Sequence, residues 1–357
     1  HMANQVDLLE EQLRRVEGRS LMIVDAATNR AEEGAPAETW WAHIVQLYGD
    51  EDTLFRRTLI DRAVFLDGLA LVRDVPWAGR GRQSIIRTNR EKLFFLMVFL
   101  SCGVRVLEVL VARFLRTRGH IIVLVKTIAA RFLPLLRAGT IRYFDEAVLD
   151  VPDCSLIVDC TVCQIRRPAV NFNDAKVFYS GKHVMYCLKK EICVNARSGT
   201  AAIISRAFPG SVHDINVLRS HADEVNETLA GRSMLADLGY RGAQVDVPTI
   251  VVCCHDQQYG QRRVMVECFF GRLKSIWRVF ATTWILGEEE FDTFFDLACC
   301  LTNLDILHRP LREADILFNI GINNLIRAEH EADVERRRRR NQAYQERRRA
   351  RLGIYFD

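Results

Sequence analysis

Apolar positions recur at helical spacing through the first third of the chain and then give way to the short runs of a sheet. Val6, Leu9, Leu13 and Val16 mark an amphipathic helix within residues 3–34. Residues 40–47 and 52–72 continue the helical pattern, and 76–81 break it with Pro76, Gly79 and Gly81. Residues 93–102 and 104–114 read as two helices divided at Gly103, and Thr117 caps a third that runs to about residue 136. Two short helices and a following third predict a helix-turn-helix at 88–147, preceded by a helical region at 3–87. The third helix leaves Arg116, Arg118, His120, Lys126 and Arg131 to meet either solvent or DNA.

Beyond Asp150 the period changes. Residues 156–159 predict a buried strand ending in an acid, and 177–188 with 191–195 predict a hairpin turning at Lys189-Lys190. A third strand covers 201–208 and closes at Pro209-Gly210. A helix covers 218–229, a short strand 233–236 ends at Asp237, and another strand covers 249–254. Val266, Phe269, Phe270, Leu273 and Trp277 then set one face of a helix in a core, with Glu267 at the edge of that stripe. A long helix follows over about 289–307. The fold class is α/β, a mixed sheet with covering helices at 148–310, joined to a helical N-terminal region and followed by a helical or disordered basic tail at 311–357.

Composition narrows the classes. Of the 357 residues, 49% are apolar, enough for a large core and a smaller unit. His1-Met2 reads as a cloning scar, and the polar stretch 3–20 is no signal peptide. The most apolar segment, 93–114, carries Arg105, Glu108 and Arg113, which makes it core helices and not a membrane span. Most of the eleven cysteines sit in apolar runs, as reduced thiols do. Cys160 and Cys163 have the spacing of half a zinc site, but no second pair follows, and on a strand they would face opposite sides. From Glu331 onward the tail holds nine arginines, including Arg336, Arg337, Arg338, Arg339 and Arg340, against five acids; the rest of the chain has 40 basic and 40 acidic groups. Such a tail suits phosphate backbones or nuclear import, or is simply a solvated charged helix.

The chemistry lies in the acids. Asp159 and Asp237 each close a short apolar strand, and neighbouring strands would project both carboxylates from one edge. The Glu267 helix can then bring a third. An all-carboxylate set suits Mg²⁺ or Mn²⁺. Two such ions about 3.5–4 Å apart support in-line displacement at a phosphodiester. Alone, Glu267 reads as a solvated helix glutamate paired with Arg263 or Lys274, and only the acids upstream give it another role. A zinc hydrolase built on His183, His213 and His255 fails on spacing.

Asp159-Cys160-Thr161, Gly181-Lys182-His183, Pro209-Gly210-Ser211-Val212-His213-Asp214, Asp237-Leu238-Gly239-Tyr240 and the stretch from Val266 to Lys274 resemble, in this order, the PIF/Harbinger family of DDE transposases and their domesticated relatives. Cys299-Cys300-Leu301 with Asn303 is similar to that family's last helix. The resemblance covers about residues 88–308. It implies an RNase-H-like catalytic domain in which Asp159, Asp237 and Glu267 hold two Mg²⁺ or Mn²⁺ ions and cut and join DNA.

Asp214 is an accessory acid by the same resemblance, or else the cap of the following helix. His183 and His213 orient phosphate or ligands, or are ordinary core histidines. Arg116, Arg118, Lys126, Arg131, Lys274 and Arg336 to Arg340 are the candidate DNA contacts. Terminal inverted repeats and target DNA, a Myb-like protein, a homo-oligomer and a nuclear location are the implied partners and setting, with no membrane. Two departures stand out: only 29 residues separate Asp237 from Glu267, and Thr302 stands where the family has histidine. An active nuclease or transposase and a catalytically idle DNA-binding or scaffold protein both remain open.

Overall fold

The computed structural model describes residues 40–58, 60–77, 86–102, 117–142, 154–252, 257–312 and 316–351. The helices expected within 3–34 and over 104–114, together with Arg116 and His255, lie outside these residues.

The N-terminal part forms α1 (Trp40–Tyr48), α2 (Glu51–Thr58), α3 (Arg62–Val72), α4 (Asn89–Cys102) and α5 (Arg118–Thr140). The single pattern expected over 52–72 is split because Asp61 turns its carboxylate onto the amides of Ala63 and Val64 and starts a new helix. Thr117 caps α5 by accepting from the His120 amide.

The second part runs β1 (Cys154–Gln164), α6 (Phe172–Lys176), β2 (Tyr179–Ser180), β3 (Met185–Asn195), β4 (Ala201–Ile204), β5 (Phe208–Pro209), α7 (Asp214–Arg219), α8 (Ala222–Leu229), β6 (Ser233–Ala236), β7 (Ile250–Val252), α9 (Gln257–Ile276), α10 (Phe291–His308) and α11 (Ile316–Arg351). The strands make one mixed sheet in the order β2-β3-β1-β6-β7, with β4 and β5 also pairing with β3. β1 and β3 are antiparallel, whereas β1, β6 and β7 are mutually parallel.

Two expectations need correction. Lys189-Lys190 do not turn a hairpin; they lie mid-strand in β3, both buried, because each finds carboxylates. Lys189 Nζ is 2.6 Å from Asp214, and Lys190 Nζ is 2.6 Å from Asp292 and 2.9 Å from Asp296. Nor does Asp159 end its strand: β1 pairs onward to Gln164 opposite Cys187, since Thr161, Cys163 and Ile165 keep burying alternate positions.

Alternation along β1 builds a core on each face. Ile157 and Cys163 join a large cluster that runs without a break from Trp41 and Phe65 through Leu93 and Phe132 to Val266, Phe269 and Phe294. Leu156 and Val158 face a second cluster with Met234, Val225, Leu218 and Tyr240. The N-terminal helices and the sheet thus share one core. Cys160 packs on the second cluster and Cys163 on the first, as alternation requires, and both thiols are free.

Helix α10 is buried on nearly every side and touches α3, α5, α9, α11 and β4. Its Asn303 fastens two neighbours: Nδ2 donates to Thr140 O (2.9 Å) and Ala201 O (2.8 Å), and Oδ1 accepts from Ala201 N (2.8 Å). Thr302 accepts from the Trp277 indole at 3.1 Å, which fastens the end of α9 to α10. Among the described residues no helix is long and apolar enough to cross a membrane.

Replacing Asn303 by alanine orphans a buried amide and two buried carbonyls. With about 1–3 kcal/mol at stake for each unsatisfied group, Asn303→Ala should destabilise the protein by several kcal/mol, read as a lowered urea midpoint at unchanged slope.

Candidate active site

The parallel pairing of β1 with β6 fixes the first two acids. Leu156 lies opposite Met234 and Ile157 opposite Leu235, so two residues further on Asp159 and Asp237 come level, on strands roughly 4.8 Å apart. Asp237 leaves β6 and caps the short 3-10 turn Leu238–Tyr240, its Oδ1 accepting from Gly239 N at 2.8 Å. Gly239 brings the two acids close: a Cβ there would stand 2.9 Å from Asp237 Oδ1 and 3.3 Å from Asp214 Oδ2, so any side chain would push these carboxylates aside. Glu267 arrives from α9, whose Val266, Phe269 and Leu273 are anchored in the large core while Glu267 itself is exposed.

These three acids, from three separated stretches, converge on one cation. Arg263 donates from Nη2 to Glu267 Oε1 at 3.0 Å, and its Nη1 lies 3.7 Å from Asp159 Oδ2 and 4.0 Å from Asp237 Oδ2. The pairing of Glu267 with Arg263 is therefore present, but as part of a larger cluster. Burial pushes the Asp159 carboxyl from an ordinary 3.8 up to about 6; the Cys160 amide and Arg263 pull it back, and Asp237 and Asp214 push it further up.

Asp214 borders the same space. It is the first residue of α7, whose cap position is His213, and it does not cap the helix. Its Oδ1 pairs with Lys189, which also donates to Val212 O at 2.5 Å. His183 and His213 are both largely exposed, and partial desolvation together with the charges of Lys182 and Lys189 holds His183 below its usual value.

The candidate DNA contacts divide. Lys126 pairs with Glu290 at 2.7 Å, Arg131 donates to Pro76 O at 2.6 Å and lies over Trp77, and Lys274 donates to Val162 O at 2.9 Å. Arg118 and Arg336 to Arg340 are exposed; Arg339 pairs with Glu335 one turn earlier on α11.

Sequence reading missed a buried group directly behind the acids. Glu191 lies opposite Cys160 across β1 and β3; it accepts from Tyr240 Oη at 2.8 Å, and His221 Nε2 stands 3.0 Å from its other oxygen. Burial raises Glu191 against the pull of His221. At His221 burial works downward, and the Glu191 carboxylate outweighs it and raises the imidazole. The cluster joins Cys160, next to Asp159, to Tyr240, three residues past Asp237. The available signal was three charges, Lys189-Lys190-Glu191, inside an apolar run, a pattern of paired buried charges as much as of a turn.

The donor set fits hard divalent cations in its chemistry, and a cationic guanidinium already stands among the three acids. As placed around Arg263, however, no three carboxylate, thiolate or imidazole groups among the described residues close on a single point at ligating distance.

Residues 158–303 match the DDE superfamily endonuclease family, a stretch that begins one residue before Asp159, contains all the acids above and ends at Asn303. The match supports a DDE transposase-like nuclease in this segment, with DNA as its substrate, and the mixed α/β sheet with its helices is compatible with that fold. Neither a curated protein nor a solved structure matches the chain.

The raised Asp159 carboxyl has a definite consequence for stability. The folded protein binds this proton more tightly than the unfolded chain, so the contribution is fully present below about pH 4 and is lost as pH rises through about 6. In metal-free protein Asp159→Asn should gain up to ~3 kcal/mol over wild type above pH 6, and the gain should vanish near pH 4, as measured by urea unfolding across that range.

Proposed function

We propose that the chain is a DNA transposase or endonuclease of PIF/Harbinger type, with an RNase-H-like catalytic domain whose Asp159, Asp237 and Glu267 hold two divalent ions. The observation that carries this reading is the convergence of three carboxylates, two from neighbouring parallel strands and one from α9, on a single cation.

Bound Mg²⁺ or Mn²⁺ would activate the attacking oxygen and stabilise the departing one. The chain's part is to fix geometry. Asp159 and Asp237 are held by the sheet and by the Glu191, His221 and Tyr240 cluster behind it, and Glu267 by the packing of α9. Asp214, tied to Lys189, borders the site across Gly239 as an accessory acid. In hydrolysis a water oxygen bonds to phosphorus, its proton passes to solvent or to a carboxylate at the site, and the 3′ oxygen departs. In strand transfer the freed 3′ hydroxyl makes the same in-line attack on a target phosphate, losing its proton to solvent or to a carboxylate as the target strand's own 3′ oxygen departs.

Arg118 and Arg336 to Arg340 supply phosphate contacts in this reading. Lys126, Arg131 and Lys274 do so only by leaving their present partners. The helix-turn-helix at 88–147, a homo-oligomeric assembly, a Myb-like partner and a nuclear location complete the proposal on the strength of the resemblance alone. The second reading, a fold kept without turnover, draws support from Arg263, which already neutralises part of the triad.

Cleavage separates the two. Supercoiled plasmid should be nicked in Mg²⁺ or Mn²⁺ and not in EDTA, and Glu267→Gln should abolish nicking while filter binding of DNA is retained. Equal nicking by wild type and variant would remove Glu267 from the site, and no nicking by wild type in either metal favours the idle reading. For the tail, truncation after Ala332 should flatten the salt dependence of DNA affinity, by up to about 0.9 in log–log slope for each phosphate that the tail neutralises. An unchanged slope would leave the tail to import or to solvent.

A further inference from the structure

The proposed chemistry makes no use of Arg263. An arginine four residues before a glutamate is the weaker order for a helical pair, and Glu267 is exposed, so that contact by itself contributes little. The other end of the guanidinium is the informative one. Nη1 turns to Asp159 on β1 and to Asp237 just past β6, 104 and 26 residues earlier in the chain, and α9 packs against both strands. Among the described residues, Lys274 is committed to Val162 O and Lys189 to Asp214 and Val212 O. In the same arrangement, no three carboxylate, thiolate or imidazole groups among the described residues form a ready-made metal cluster.

We propose that Arg263 is the resident counter-ion of the carboxylate triad, filling the place of a divalent cation in the metal-free protein and giving it up when the metal binds. The inference rests on the metal-dependent reading above. Two like charges cannot share that space, so metal binding is an exchange: the guanidinium swings out as the ion comes in, and the acids close. Arg263 thereby stabilises the metal-free fold, by limiting repulsion among the acids, and raises the metal concentration needed to load the site. A scaffolding arginine would do the reverse, since its loss would disorder the ligands and weaken metal binding.

The test is calorimetric titration of Mn²⁺ into the metal-free full-length protein, for wild type, Arg263→Ala and Arg263→Lys, with thermal melts of each before and after Mn²⁺. Arg263→Ala should bind Mn²⁺ roughly tenfold more tightly or better, the scale of one like-charge contact at this range. It should melt lower than wild type without metal and gain more on its addition. Arg263→Lys, which keeps the charge, should stay near wild type in both measurements. If wild type binds Mn²⁺ and Arg263→Ala binds it equally or more weakly, the counter-ion role is wrong while the metal site stands. If Mn²⁺ binds none of the three proteins, the metal-site reading fails and takes this inference with it.

Discussion

Mutual repulsion among crowded carboxylates is the constraint on which the rest of this site depends. Asp159 and Asp237 are level on adjacent parallel strands, Asp214 faces Asp237 across Gly239, and Glu267 overhangs from α9. Each acid has a cation that offsets the crowding: Lys189 for Asp214, Arg263 for the other three. Burial above all, with Asp237 and Asp214 adding to it and Arg263 opposing it, raises the Asp159 carboxyl to about 6. Three carboxylates that share one guanidinium still carry a net negative charge, and such a cluster is arranged to receive further positive charge.

Rigidity is distributed unequally around the cluster. Asp159 and Asp237 are set by strand register, with the buried Glu191, His221 and Tyr240 network locking β1, β3 and the turn after β6 together. Behind α9, the nearly all-buried α10 is fastened by Asn303 to α5 and β4 and by Thr302 to Trp277. Glu267 alone stands on an exposed helical surface, and it shares that helix with Arg263. The adjustable part of the site is therefore on α9, four residues apart, and the fixed part is in the sheet.

Much of this was legible in the sequence. Strand β6, the acid after it and the apolar stripe of α9 follow from periodicity alone, and the alternation along β1 correctly sent Cys160 and Cys163 to opposite faces. Charge in β3 was misread because Lys189, Lys190 and Glu191 look like a turn until their partners are known. Those partners, Asp214, Asp292, Asp296 and His221, lie between 25 and 106 residues away. Burial of a charge is decided by such distant partners, and no local pattern reports them. Similarly, the solvent face assigned to α5 was correct in periodicity, yet Lys126 and Arg131 are occupied by Glu290 and Pro76, which local spacing does not show. Arg263 was visible only as a neighbour of Glu267, since its reach to Asp159 and Asp237 comes from how α9 lies on the sheet.

The central claim is that Asp159, Asp237 and Glu267 together bind divalent metal. Anomalous diffraction from crystals of the protein grown or soaked in Mn²⁺ tests it most directly. The expected result is strong peaks within ligating distance of all three carboxylates, with the Arg263 side chain moved away from them. Peaks confined to other parts of the molecule, or none at a saturating Mn²⁺ concentration with Arg263 still bridging the acids, would contradict it.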